Sequence, residues 1–87
     1  MSTERAEDLK RRNATFKTRD FYLACYLRCA GPELLDLRDD GRRKVFVFQD
    51  RVTRREDVMA FYGEAARVRP LAFAATIKDM KGLLHNG

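Results

Sequence analysis

Between Leu34 and Phe48 the chain has little freedom to be anything but a β-hairpin. Leu34 to Arg38 alternates after its first residue, with Leu35 and Leu37 on one face and Asp36 and Arg38 on the other. Asp39-Asp40-Gly41 is turn chemistry, and Gly41 supplies the positive φ that tight hairpin turns need. The run Arg43-Lys44-Val45-Phe46-Val47-Phe48 then has the β-branched and aromatic richness of a strand. A two-stranded hairpin is at best marginally stable in water, so other elements must cover it.

The flanking segments offer those elements. Ala14 to Thr18, with Thr15, Phe16 and Thr18, suits a short strand. Thr18 or Asp20 then serves as N-cap for a helix from Phe21 to Ala30, which Gly31 and Pro32 terminate. Beyond the hairpin, Thr53-Arg54-Arg55-Glu56 reads as a capping box. It opens a helix to about Tyr62 that is expected to bury Val58, Met59, Phe61 and Tyr62 against the sheet, with Gly63 ending it. Glu64 to Arg69 is extended, because Pro70 disfavours helical geometry at Arg69. Pro70 opens a last helix in which Phe73, Ile77, Met80 and Leu84 recur at three-to-four spacing. The expected fold is α+β in the order β-α-β-β-α-α. A small three-stranded sheet, the hairpin plus the first strand, carries helices packed on one face. With 87 residues the chain has material for one core, assigned to residues 14–87. Residues 1–13 form a charged N-terminal arm, either flexible or helical, since Glu7 with Arg11 and Asp8 with Arg12 stand four apart.

Catalysis is not expected. Nucleophilic mechanisms need a Ser, Thr or Cys beside an oriented base. The one histidine, His85, stands third from the end, and Ser2 is the one serine. Gly31, Gly41 and Gly63 are isolated caps and turns, so there is no glycine-rich phosphate loop. Cys25 and Cys29 lack two further ligands for zinc and read as reduced thiols filling small holes in a core. No metal and no other cofactor is expected. The charged start has no apolar h-region and no stretch reaches the length of a membrane span, so a cytoplasmic protein is expected.

What remains is charge. Lys and Arg number 18 against 13 Asp and Glu, a net +5, and Arg outnumbers Lys thirteen to five. The planar guanidinium suits phosphate recognition better than an ammonium does. The basic residues gather in groups: Arg42, Arg43 and Lys44 on the hairpin; Arg51, Arg54 and Arg55 where the second helix starts; Arg67 and Arg69 before Pro70; and Lys10, Arg11 and Arg12 in the arm. Cations at a helix start oppose its dipole, so the second group either meets an anion or is offset locally by Glu56 and Asp57. Phe46 and Phe48 share one face of the third strand. With the basic residues before them, they are similar to the base-stacking aromatics of RNA-recognition sheets, whose glycines are absent here. Alternatively that strand is buried on both faces, or lies in a dimer interface.

From Thr15 to about Leu84 the chain resembles a small prokaryotic and phage-associated domain family of unknown function. The resemblance rests on Phe16-Lys17-Thr18-Arg19-Asp20, Leu23-Ala24, Leu27, Gly31 and Gly41-Arg42-Arg43. It continues through Phe46-Val47-Phe48, Tyr62-Gly63-Glu64-Ala65, Arg67-Val68, Pro70, Phe73 and Lys81. Tyr62 meets Gly63 directly where the pattern has an intervening asparagine. The resemblance implies no activity, cofactor or catalytic residue, and its phage and mobile-element setting favours nucleic-acid or host-interaction roles. The expected function is therefore non-enzymatic nucleic-acid binding, DNA or RNA, by the arginine-rich surface. The alternative is a protein-interaction or homodimerisation module, with Phe46 and Phe48 or Tyr22 and Tyr26 as its apolar contact.

Overall fold

A computed structural model describes residues 14–86. Strand β1 (Thr15–Thr18) leads into helix α1 (Phe21–Ala30), followed by β2 (Leu34–Asp39), β3 (Lys44–Gln49), α2 (Arg54–Tyr62) and α3 (Pro70–Asn86). The order β-α-β-β-α-α and the α+β class are those the sequence predicts. The expected arm, with Lys10, Arg11 and Arg12, lies outside the described residues.

The three strands form one antiparallel sheet in the order β1-β3-β2. The richest strand is thus the central one. Phe16 pairs with Phe48 and Thr18 with Phe46 on one side, and Leu37 pairs with Phe46 and Leu34 with Phe48 on the other. These residues share the face that meets the helices. The opposite face carries Val45 and Val47, with Lys17 and Asp36 in register beside Val47 and Arg38 beside Val45.

Strict alternation in β2 does not hold. The register slips by one residue between Leu34 and Asp36, so Leu35 is an extra, unpaired residue. Leu34 and Leu37 therefore share the inner face, and Leu35, expected there beside Leu37, stands 45% exposed. In the turn, Asp39 Oδ1 accepts the Gly41 N–H at 3.0 Å and Asp40 Oδ1 accepts that of Arg43 at 3.3 Å. Gly41 has φ 105°, as the turn chemistry requires.

Helix α1 starts at Asp20, whose Oδ1 accepts the Leu23 N–H at 3.1 Å. Five consecutive residues, Leu23 to Leu27, are buried, which means the middle of the helix is covered all round, while Tyr22 and Arg28 on either side of it stay exposed. The sheet lies on one side, and α2 and α3 close the others. Gly31 ends α1 with φ 137° and donates to Leu27 O at 3.1 Å. A Cβ there would stand 2.9 Å from Nη1 of Arg51, which reaches over the helix end toward Ala30 O at 3.4 Å. The backbone conformation is what favours glycine here, since the tip of the Arg51 side chain could shift to make room for a Cβ.

The capping box at Thr53 does not form. Its hydroxyl donates to Asp57 Oδ2 at 3.2 Å and caps no backbone N–H. Thr53 has φ −89° and ψ 4°, outside the extended geometry that aims an N-cap side chain at the following N–H groups. Arg51 and Asp57 hold the start of α2 instead, with Nε to Oδ2 at 2.9 Å. Nor does α2 bury its whole apolar set. Val58 and Phe61, three apart, pack against the core, while Met59 and Tyr62 are 67% and 58% exposed. The turn after α2 passes its positive φ to Glu64 (φ 62°), not to Gly63. Helix α3 brings Phe73, Ile77 and Leu84 against the core and buries Met80 completely.

Phe46, Phe48, Leu23, Leu27, Cys25 and Met80 make the centre of the core. At roughly 1.5–3 kcal/mol for each large apolar side chain removed from water, this cluster is the main favourable term for the fold. Burial pushes the Cys25 thiol up to about 11, so it stays protonated and unreactive at neutral pH.

Candidate nucleic-acid interface

Alternation along β1 sends Phe16 and Thr18 toward the helices and Lys17 the other way. Arg19 continues the outward set just past the strand. On β3 the same face carries Val45, with Arg43 beyond it at the strand's start. Antiparallel pairing brings these two ends side by side. The result is an open groove of about 470 Å³ lined by Lys17, Thr18, Arg19, Arg43 and Val45. Three cations thus surround one concavity with a valine wall.

The cations differ in what already holds them. Arg19 donates to Asp40 Oδ2 through Nε at 3.0 Å and through Nη2 to the same oxygen. This bond holds the Asp40 carboxyl below the usual carboxylate range, so it is charged at neutral pH. Lys17 and Arg43 make no side-chain hydrogen bond or ion pair among the described residues. Arg42, in the turn, is likewise without a partner there. Across the face, Arg38 pairs with Asp36 at 2.9 Å.

The basic groups expected from sequence are divided by the fold. On the hairpin, Arg42 and Arg43 have no partner among the described residues, whereas Lys44 pairs with Asp39 at 3.3 Å. At the start of α2, Arg51 is taken by Asp57 at 2.8 Å and Arg54 by Asp50 at 3.2 Å. The Arg54 guanidinium also lies 4.8 Å from the Phe16 ring centroid. Local carboxylates therefore offset that helix start, and Arg55 alone of the three has no partner among the described residues. Arg67 and Arg69 are exposed on the link to α3 and also unpaired there.

Phe46 and Phe48 are not surface residues. They are 2% and 1% exposed, packed under α1, because the hairpin's aromatic face is the one the helices cover. Neither can stack on a base or meet a partner in this fold. Tyr26 is buried too, stacked on Phe61 with ring centroids 5.6 Å apart, while Tyr22 is 54% exposed. Lys17 and Arg19 belong to the family motif but to none of the basic groups that the sequence offers as binding residues. The signal for them was local: two basic residues alternating with Phe16 and Thr18 on a strand whose other face is apolar.

A second polar arrangement ties α2 to the start of α1. Tyr62 donates its hydroxyl to Asp20 Oδ2 at 2.7 Å while the other carboxylate oxygen caps the helix. The Tyr62 bond, more than the backbone bonds, lowers the Asp20 pKa, and the same bond raises that of Tyr62. The depressed carboxyl contributes stability that is present above its unfolded value and lost as pH falls through its folded one, that is, below about pH 4. The raised phenol contributes stability present below about pH 10 and lost as pH rises through its folded value. Tyr62→Phe is expected to return the Asp20 carboxyl toward its ordinary value and to remove the alkaline loss. Carbon-13 carboxyl titration by NMR, with thermal melts at acid and alkaline pH, checks both. An unmoved Asp20 titration would show that the bond is not formed in solution.

Among the described residues no group of three or more His, Cys, Asp or Glu side chains is placed to hold a metal ion. No described helix is long and apolar enough to cross a membrane. No curated protein and no solved structure shows a significant match to the chain. Residues 13–86, nearly the whole of the chain and all of its sheet, match one family of domains, and the chain belongs to that family, the Domain of unknown function (DUF5659).

Proposed function

We propose that the domain is a non-enzymatic nucleic-acid-binding module that holds the sugar–phosphate backbone in the β1–β3 groove. The observation that carries this reading is the pair of cations, Lys17 and Arg43, that have no partner among the described residues and line one concavity with Arg19, with Arg42, likewise unpaired there, in the adjoining turn. Cations left without carboxylates on a chain of net +5 are suited to neutralising phosphates. The described residues that line the groove include no aromatic side chain, so backbone contacts dominate and sequence preference is weak. Arg55, Arg67 and Arg69 extend the basic surface beyond the groove. A cytoplasmic role, expected from the charged start, and the phage or mobile-element setting that the family resemblance implies accord with this reading.

Fluorescence anisotropy with labelled DNA and RNA of mixed sequence tests it. Binding at low salt should weaken linearly in log–log terms as salt rises, because each neutralised phosphate releases counterions. Absence of binding to both polymers at low salt would sink the proposal.

One observation favours a second reading, self-association without nucleic acid. Tyr22 on α1 and Met59 and Tyr62 on α2 are exposed. Tyr62 is anchored by Asp20, and Met59 lies one turn before it. A second copy of the chain is the partner this reading names. Light scattering over a range of concentrations decides it, with Met59→Glu expected to convert a dimer into a folded monomer. A wild-type monomer throughout would rule it out.

A further inference from the structure

We propose that Asp40 is a built-in competitor for the phosphate at Arg19, setting the affinity of the groove for the nucleic-acid backbone. The inference rests on the nucleic-acid reading above and adds how that site is tuned.

The pairing of β1 with β3, and of β3 with β2, carries the hairpin turn over the end of β1. A carboxylate from residue 40 is thereby placed on the guanidinium of Arg19, one of the three cations lining the groove, the other two, Lys17 and Arg43, being unpaired among the described residues. Asp40 is anchored by its own loop, since Oδ1 accepts the Arg43 N–H, while only Oδ2 takes Arg19. The carboxylate therefore stays in place when the arginine leaves. Both side chains are well exposed, 56% for Arg19 and 39% for Asp40, and an ion pair so exposed is weak enough to exchange. A phosphodiester entering the groove presents two oxygens to the same planar fork that now binds one carboxylate oxygen. Arg19 can swing from one anion to the other. Lys17 and Arg43 have no such choice to make.

Asp40→Asn keeps an oxygen for the Arg43 N–H and removes the charge that competes. It is expected to fold as the wild type does, checked by thermal unfolding, and to bind nucleic acid about three- to tenfold more tightly at low salt. The Arg19→Gln and Arg19→Gln/Asp40→Asn variants complete a double-mutant cycle by anisotropy with labelled single-stranded and duplex DNA. If Asp40 acts through Arg19, its substitution gains little once Arg19 is gone. Equal tightening in both backgrounds would overturn the proposal, leaving a general charge effect. Unchanged affinity of Asp40→Asn, with the wild type still binding, would also overturn it and leave the nucleic-acid reading standing. Absence of binding by every variant at low salt would overturn both together.

Discussion

Phe48→Ala is expected to destabilise the domain by about 3–5 kcal/mol, the cost of emptying a fully buried aromatic site. Phe48 is the largest of the fully buried side chains and sits on the central strand, opposite Phe16 on one side and Leu34 on the other. Truncation would remove contacts with both neighbouring strands and with the helices above them. A domain of this size carries roughly 4–13 kcal/mol of stability in total, so the variant should populate unfolded chain under conditions where the wild type does not. Urea unfolding at constant m would measure the change as a fall in midpoint. Leu71→Ala is the control, because Leu71 is 86% exposed and its loss should stay within about 0.5 kcal/mol. The same experiment separates the two roles open to an aromatic strand. A stacking residue would cost binding and spare stability; the burial of Phe48 predicts the reverse.

The second large effect concerns binding. Lys17→Glu/Arg43→Glu should weaken nucleic-acid affinity by about two orders of magnitude at low salt and flatten the salt dependence by about two units of slope. Both residues are exposed and unpaired among those described, so reversal should leave the melting temperature nearly unchanged. Arg51→Gln is the contrasting variant. Arg51 binds Asp57 and reaches toward Ala30 O, so its loss should lower stability and leave affinity close to wild type. Equal binding losses in the two would mean that the groove has no special standing among the basic surfaces.

The sequence carried the elements further than it carried the surfaces. Turn chemistry at Gly41, the Asp20 cap and the Gly31-Pro32 stop are local signals, and the structure uses each where the local rule places it. Leu35 shows the limit of such rules. A strand's alternation is readable only while its register is continuous, and a bulge moves one residue out of step. Met59 and Tyr62 show another, since a nine-residue helix covering a small core can bury little more than one row. The division of the arginines was also out of reach. Asp50 and Asp57 lie close in sequence to Arg54 and Arg51, and a local offset was foreseeable there. That Asp40 meets Arg19, and that Arg43 has no partner among the described residues, depends on three strands lying side by side. The groove itself joins residues 17 and 43, which only the β1–β3 pairing makes neighbours.

The bulge at Leu35 also bears on how the molecule behaves at high concentration. Among the described residues the sheet is ordered β1-β3-β2, and both outer strands there present a side to which another chain's strand could add. On the β1 side that template is only four residues long. On the β2 side it is broken at Leu35, and the Leu37 N–H just beyond is engaged by the Asp36 carboxylate at 2.8 Å. The charges of Asp36, Arg38 and Asp39 follow along the same strand. Short length, a break in the ladder and charge are the devices that discourage edge-to-edge addition. A chain whose central strand reads Val-Phe-Val-Phe, a sequence that would aggregate readily if it lay at an edge, keeps it between two strands that are poor templates.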